Sequence, residues 1–442
     1  MIYENVLKNP DKFSFEIDVI GAPIYPNPIV KNDYTNDNER IAFSSQVKNI
    51  LKQIDECDKL PSFEKAGIRK KLFHNPENTK VAIITCGGLC PGLNNVIKGL
   101  VNVLEIEYGI KDIIGIRYGY LGLSKKSRHE PIKMTLKSID QIHKQGGTIL
   151  GSSRGNQDPR DMVDQLVSRK INVIYCIGGD GTLKGAEAIA EEIKNRNLSI
   201  SVVGIPKTID NDLSFIEKTF GFETSVQIAS DIITSAYTEA IGAENGIGIV
   251  KLMGRDSGFI SASATLANSV VDFCLVPETK FHLHGHGGLL TALERRLKER
   301  QYSVIVVAEG AGQDLFMETA ERRDQSGNIL KEDIGTFLKR EIEEHFADVE
   351  LETSIKYFDP SYLIRSVPAI ASDAIFCYQL AAHAAHAGMS GKTNLVIGHW
   401  NNFFTHVPIN LATSARRMID LDGVLWKGVL STTQQGTNLS TN

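Results

Sequence analysis

No uninterrupted apolar stretch in this 442-residue sequence approaches the ~20 residues needed to span a bilayer. The opening residues, MIYENVLKNPDKFSFEIDV, lack the basic-then-apolar order of a secretory signal. A cytoplasmic location without membrane contact is therefore expected. Cysteine is scarce: six residues (57, 86, 90, 176, 274 and 377) are scattered, most of them inside apolar runs. That pattern suits reduced core thiols and argues against a disulfide framework. Cys86 and Cys90 have a metal-like spacing but no second pair to complete a zinc site. Basic residues are not in excess, with 48 Lys and Arg against 53 Asp and Glu and a net charge of −5. This argues against a nucleic-acid partner, but a local Arg/Lys pocket for a small anion remains compatible with it. No repeat of solenoid period is visible.

What is present is ordinary globular composition, 42% hydrophobic and 23% charged, in a chain long enough for two or three domains. Residues 1–78 are polar, with a PNP turn and a charged run near 52–71, and show no strand–helix alternation. They are expected to form an N-terminal extension that packs on the main body or on a neighbouring subunit and carries no catalysis. From Lys80 short β-branched runs alternate with helical segments. VAIIT precedes a helix from about Leu93, and DIIGIRY precedes a helix at 136–144. NVIYCIGG precedes 183–196, and SISVVGIP precedes 222–240. GIGIVKLMG, DFCLVPE, a helix at 288–300 and SVIVVAEG continue the series. Buried strands separated by helices imply parallel sheets covered on both faces. Ligands bind such sheets at the carboxyl ends of the strands.

The unusual loops fall at those ends. GGLCPGLNN (87–95) closes a strand and opens a helix, where it could cradle an anion or simply turn the chain. GGDGTLKGA (178–186) leaves room beside its backbone, offers Asp180 as a hard oxygen ligand for Mg²⁺, and lets Thr182 cap a helix or touch phosphate. The same string occurs in NAD kinases and lipid kinases, so it indicates nucleotide phosphate and metal without naming an acceptor. PKTIDND (206–212) supplies what transfer to an alcohol requires. Asp210 would be the base, Thr208 would orient the acceptor, Lys207 would add positive charge, and Asp212 would support the metal or the loop. The alternative for Asp-Asn-Asp is a helix-capping turn. MGRDSG (253–258) offers Arg255 for a phosphate ester, Glu309 could accept from sugar hydroxyls, and SYLIRS holds Arg365. Arg154, in GSSRGN, is a candidate γ-phosphate ligand. For each alone the competing role is a surface salt bridge or a strand-end turn. His282, His284 and His286 form an HxHxH string in a Gly-rich loop, where metal binding is not expected; His383 and His386 lie in an Ala-rich helical stretch, where core or interface roles are expected.

GGLCPGLN, GGDGT, PKTIDND, MGRDSGFI, the Glu309 segment and YLIR, in this order from about residue 80 to 425, resemble the 6-phosphofructokinases. KYFDPSYLIR, ASDAIFC and ATSARRMIDLDGVLW resemble the trypanosomatid and plant-like branch with an N-terminal extension. The resemblance implies two Rossmann-like three-layer α/β domains with mainly parallel sheets and an active cleft between them. The expected division is 79–240, completed by part of 390–430, as the ATP-binding domain, 241–390 as the sugar-phosphate domain, and 431–442 as a disordered tail. It also implies Mg²⁺-assisted transfer from ATP to the C1 hydroxyl of fructose 6-phosphate, by an allosteric homo-oligomer (tetramer or dimer). Gly88, Arg154, Gly155, Gly179, Asp180, Gly181 and Thr182 would hold the nucleotide, with Asp180 on the metal. Thr208, Ile209 and Asp210 would meet the reacting end of the sugar, with Lys207 and Arg255 beside them. Met253, Gly254, Arg255, Glu309 and Tyr362, Leu363, Ile364 and Arg365 would bind the rest. Gly181 and Lys207 bear on the donor. Pyrophosphate-dependent relatives carry Lys at the position of Lys207 and usually Asp at that of Gly181. Gly181 leaves the volume that an α-phosphate and nucleoside fill, so ATP is favoured over pyrophosphate. A non-catalytic sugar-phosphate-binding subunit is the contrasting reading, and the retained Asp180, Gly181, Asp210 and Arg255 speak against it.

Overall fold

The structure is a computed structural model describing residues 2–31, 33–56, 60–155, 157–316, 330–436 and 439. Cys57 lies outside these residues. Among the described residues no helix is long and apolar enough to cross a membrane. The chain divides into two units. The first comprises Met1–Thr208, Leu213–Gly221 and Ser366–Ala415; the second comprises Ile209–Asp212, Phe222–Arg365 and Arg416–Asn442.

The first unit is built, among the described residues, on a nine-stranded sheet. Its strand order is Arg40–Ala42, Ser62–Lys65, Phe403–Pro408, Leu395–Trp400, Ser201–Pro206, Val173–Gly178, Lys80–Thr85, Asp112–Ile116 and Ile132–Lys133. The five from Leu395–Trp400 to Asp112–Ile116 run parallel, and the flanking strands are antiparallel. VIYCIG and SVVGIP are buried at every position, as strands covered on both faces must be. One layer of core joins Ile84, Cys176 and Val202 to Leu183, Ala186 and Ile189 of the Asp180–Asn195 helix.

The N-terminal extension, expected to pack on the main body or on a neighbouring subunit, supplies two strands of this sheet and part of its core. Phe15, Phe43 and Phe63 cluster with Phe215, and Phe43 stacks on Trp400 at 5.2 Å. Glu64 sits buried where it accepts from Arg69 Nη2 at 2.8 Å and Lys392 Nζ at 3.0 Å and pairs with His406 Nδ1 at 2.9 Å. Burial alone would raise its pKa. The bond to His406 and the charges of Lys392 and Arg69 outweigh burial and bring it to about 2.

The second unit carries, among the described residues, a four-stranded parallel sheet ordered Phe273–Leu275, Tyr302–Ala308, Gly246–Leu252 and Ser354–Phe358. Leu289–Arg300 and Ile334–Asp348 bury Leu293, Leu297, Leu338 and Ile342 against Ile249 and Ile305. Phe259–Asn268 and the C-terminal Val424–Thr433 helix share a smaller cluster with Cys274, Val276 and Trp426.

Four expectations are corrected. Residues 136–144 form no α-helix, only a 3-10 turn at Ile142–Lys144. Thr135 and Ser138 exchange side-chain bonds with each other's backbone N–H, at 2.8 and 3.2 Å, the reciprocal pattern of a helix start, but only turns follow it as far as the 3-10 turn. The boundary at 240 shifts, because the Phe222–Ile241 helix packs on the Gly246–Leu252 strand closely enough that a Cβ on Gly248 would lie 2.9 Å from the Ala236 carbonyl. The Ala371–Met389 helix joins the first unit, where the Tyr175 hydroxyl donates to the Ala385 carbonyl at 3.3 Å. In the tail expected to be disordered, the helix continues to Thr433, the Gln435 amide donates to the Cys274 carbonyl at 3.1 Å, and Leu439 is buried. Residues 437–438 and 440–442 lie outside the described set.

Candidate active site

In the first unit the Gly-rich loops follow neighbouring parallel strands, so strand order alone gathers them at one edge. Gly87 N–H donates to the Ser153 carbonyl at 3.1 Å, and Ser152 Oγ donates to the Gly87 carbonyl at 2.5 Å. Lys207, buried at the end of the Ser201–Pro206 strand, donates from Nζ to the Gly88 carbonyl at 2.5 Å. Its backbone N–H bonds the Gly178 carbonyl at 3.0 Å. Gly88, Gly179 and Lys207 are thereby brought together. Arg154 follows Ser153 on the same loop with its side chain exposed, and Gly155 takes a left-handed φ of 98°. Asn156 of that string lies outside the described residues.

Asp180 opens the Asp180–Asn195 helix, where the dipole favours a negative charge, and pairs with Lys184 one turn on at 3.1 Å. Thr182 is buried, and its carbonyl accepts from the Tyr120 hydroxyl at 2.6 Å. Gly181 contrasts with its neighbours. Its φ is not left-handed, and a Cβ built on it meets nothing within 4 Å. Neither backbone conformation nor packing within this chain requires glycine there.

Thr208 ends the first-unit portion of PKTIDND, its carbonyl accepting from Thr219 Oγ1 at 2.7 Å. Ile209–Asp212 belong to the second unit. Ile209 and Asp212 are buried, Asp210 is half-buried, and Asn211 turns the chain at φ 51°. Asp212 Oδ2 meets Arg416 Nη1 at 2.8 Å, and the Asp210 carbonyl accepts from Ser257 Oγ at 3.2 Å. Burial raises the pKa of Asp210 well above the usual carboxylate range; the negative charges of Asp212 and Glu309 add to the shift, and Arg416 and Arg255 oppose it.

The rest of the acceptor-side set lies in the same unit. Gly254 turns out of the Gly246–Leu252 strand at φ 136°, where a Cβ would come within 2.5 Å of the Ser257 carbonyl, so glycine is required. Met253 and Arg255 flank it, half-buried. Glu309 follows the adjacent strand. Burial raises its pKa, and the charges of Arg255, Lys251 and Arg365 oppose the shift. Of the YLIR string, Tyr362 and Leu363 project to solvent (74% and 62% exposed) and Ile364 is buried. Arg365, its guanidinium 4.7 Å over the Tyr362 ring, is the member whose charge reaches Glu309.

Sequence reading missed Arg416 and Lys251. Lys251 pairs with Asp359 at 2.8 Å and Asp333 at 3.0 Å, tying the strand that leads into Met253 to the segment that leads into Arg365. Burial works against its charge, but these bonds raise its pKa overall. No local signal marks either residue, since each is defined by a partner far along the chain. Among the described residues no three His, Cys, Asp or Glu side chains gather as a metal cluster. His282 and His284 line a cavity with Leu315, Phe337 and Glu341.

The phosphofructokinase family model matches residues 80–388. The chain is 45% identical to the ATP-dependent 6-phosphofructokinase of Borreliella burgdorferi over 97% of its own length and 98% of the relative's. It is 41% identical to that of Trypanosoma brucei brucei, covering 96% and 88%. Among solved structures, a pyrophosphate-dependent phosphofructokinase from Marinobacter aquaeolei superposes with a TM-score of 0.67 at 17% identity, over 82% of this chain and 92% of that one. At that identity the likeness shows the shared fold alone. With its strand-end loops carrying the expected residues and these relatives matching nearly its whole length, the chain belongs to the phosphofructokinase family.

Proposed function

We propose that this chain phosphorylates the C1 hydroxyl of fructose 6-phosphate at the expense of ATP, giving fructose 1,6-bisphosphate. The observation that carries the reading is the setting of Asp210: a half-buried carboxylate with raised proton affinity, flanked by Asp212 and Glu309 and by the charges of Arg255 and Arg416. Its carboxylate takes the C1 proton as the hydroxyl oxygen attacks the γ-phosphorus, and ADP leaves. A base whose pKa is raised toward neutrality accepts that proton more readily than an ordinary aspartate. Arg255 and Lys207 offset charge on the transferring phosphoryl group. Glu309 and Arg365 hold the sugar hydroxyls and the 6-phosphate.

Gly88, Arg154, Gly155 and Gly179 to Thr182 receive the nucleotide in this reading. The open space at Gly181 supports ATP as donor, because the fold itself has no use for glycine there. Asp180 fits a magnesium site, since Mg²⁺ commonly takes one or two carboxylates and completes its shell with phosphate oxygens and water. When bound, the ion neutralises charge on the phosphates. Homo-oligomeric assembly and a cytoplasmic location belong to the same reading.

The test is a coupled assay with fructose 6-phosphate and Mg²⁺, supplying either ATP or pyrophosphate. Turnover with ATP and an Asp210→Asn loss of kcat of at least ~100-fold are expected. Turnover with pyrophosphate alone would overturn the donor, and full activity in Asp210→Asn would overturn the base.

A further inference from the structure

The four residues Ile209–Asp212 belong to the second unit, yet the chain before and after them belongs to the first. Chain continuity therefore does not hold this loop among its second-unit neighbours; side-chain and backbone contacts must. Several come from a segment more than two hundred residues later in the sequence. Arg416 Nη1 meets the buried Asp212 Oδ2 at 2.8 Å, a charge-assisted bond. The next residue, Arg417, donates its backbone N–H to the Asp212 carbonyl at 2.8 Å and lays its guanidinium 4.8 Å over the Phe259 ring.

That segment is itself fixed. The Glu278 carboxylate accepts from Ile419 N–H at 2.9 Å and from Gly258 N–H at 3.0 and 3.1 Å. Gly258 caps the Phe259–Asn268 helix and ends the MGRDSG loop that carries Arg255. Ile419 and Trp426 are buried with Phe259 and Val276. One carboxylate thus ties the Arg255 loop to the strand of chain that grips Asp212, and Ser257 of that loop bonds the Asp210 carbonyl at 3.2 Å.

We propose that Arg416 is a positioning residue for phosphoryl transfer, holding Asp212 so that the Asp210 carboxylate two residues before it stands where the acceptor hydroxyl reacts. The proposal rests on the function given above. In this role Arg416 acts on the base through the loop it holds, and its charge also opposes the raised proton affinity of Asp210. Its loss leaves the sugar contacts of Glu309, Arg255 and Arg365 in place, so it lowers kcat and spares KM.

The full-length chain is assayed with fructose 6-phosphate and Mg·ATP, alongside thermal unfolding of each variant. Arg416→Met is expected to lower kcat by ~100-fold, the scale of a misplaced reacting group, with KM for fructose 6-phosphate changed by no more than ~2-fold. Arg416→Lys, which keeps a cation on Asp212, restores at least ~10-fold of that loss. Asp212→Asn removes the same pair from the other side and reproduces the split, so the test stands if Arg416→Met folds poorly. A kcat within ~3-fold of wild type in folded Arg416→Met, or no rescue by lysine, would overturn the positioning role alone. Absent turnover by the wild-type chain would overturn the function and this proposal together.

Discussion

Replacing Gly181 with aspartate separates the demands of the fold from those of the donor. A Cβ at 181 meets nothing within 4 Å, and the backbone there is not left-handed. The position is the second residue of the Asp180–Asn195 helix. Glycine inside a helix costs roughly 0.5–1 kcal/mol relative to alanine, and a carboxylate in the first turn gains roughly 0.3–1 kcal/mol from the helix dipole. Gly181→Asp is therefore expected to leave the unfolding temperature unchanged or slightly raised. Its effect on ATP runs the other way. A unit negative charge about 5 Å from a phosphate charge, at an effective dielectric constant near 20, costs about 3 kcal/mol. That is a loss of roughly 100-fold in kcat/KM for ATP. Gly181→Ala, adding bulk without charge, should lose far less. The assay is an ATP titration at saturating fructose 6-phosphate, with a thermal melt of each variant. A kcat/KM for ATP within ~3-fold of wild type in Gly181→Asp would refute the placement of the nucleotide at this loop.

Gly254→Ala is expected to destabilise the second unit by ~1–3 kcal/mol, because φ 136° and a 2.5 Å approach to the Ser257 carbonyl leave no room for a methyl group; urea unfolding checks it. Glu309→Gln should raise KM for fructose 6-phosphate by ~10-fold and change kcat little, as loss of a charged hydrogen-bond acceptor does in uniform binding. Acid should weaken the first unit well above ordinary carboxylate pH. Burial lowers the pKa of His74 to about 4 and of His383 and His386 to about 3. The unfolded chain protonates them near pH 6.5, so the stability they contribute is complete above that value and declines as pH falls toward 4. The unfolded chain binds more protons at these three sites than the folded one across that window, so all three act in the same direction. Denaturant midpoints that stay flat between pH 6.5 and 4.5 would refute this.

The alternation of β-branched runs with helical segments made the parallel sheets legible, and Gly-rich strings after strands made the site loops legible. Both are local signals. VIYCIGGDGT reads as strand, turn and helix start from ten consecutive residues, and the structure places it so. All but one of the failures share a cause, because they depend on a partner remote in sequence. Ser62–Lys65 is a four-residue strand whose partner includes Thr405 and His406, and nothing in SFEK announces that pairing. Arg416 is one charge of a doublet until Asp212, 204 residues earlier, defines it. Residues 366–390 look continuous with the sugar-binding half but pack with the other one, since helix docking follows surface fit and not chain order. At 136–144 the miss was local: the reciprocal bonds of Thr135 and Ser138 start a helical turn that does not continue as an α-helix.

The order of strands in the first unit also carries a consequence for how the protein is made. Phe403–Pro408 lies between Ser62–Lys65 and Leu395–Trp400, and Leu395–Trp400 pairs with Ser201–Pro206. A chain still emerging from the ribosome has four central strands ready by residue 206, yet one flank of that sheet stays bare until the last tenth of the protein appears. Until then the Ser201–Pro206 strand is an unprotected edge, and Arg40–Ala42 with Ser62–Lys65 waits as a detached hairpin carrying Phe43 and Phe63. Contacts of such long sequence separation are slow to close. Synthesis stalled before residue 395 should leave a species that chaperones retain, while the second unit's four strands, complete by Phe358, are already paired.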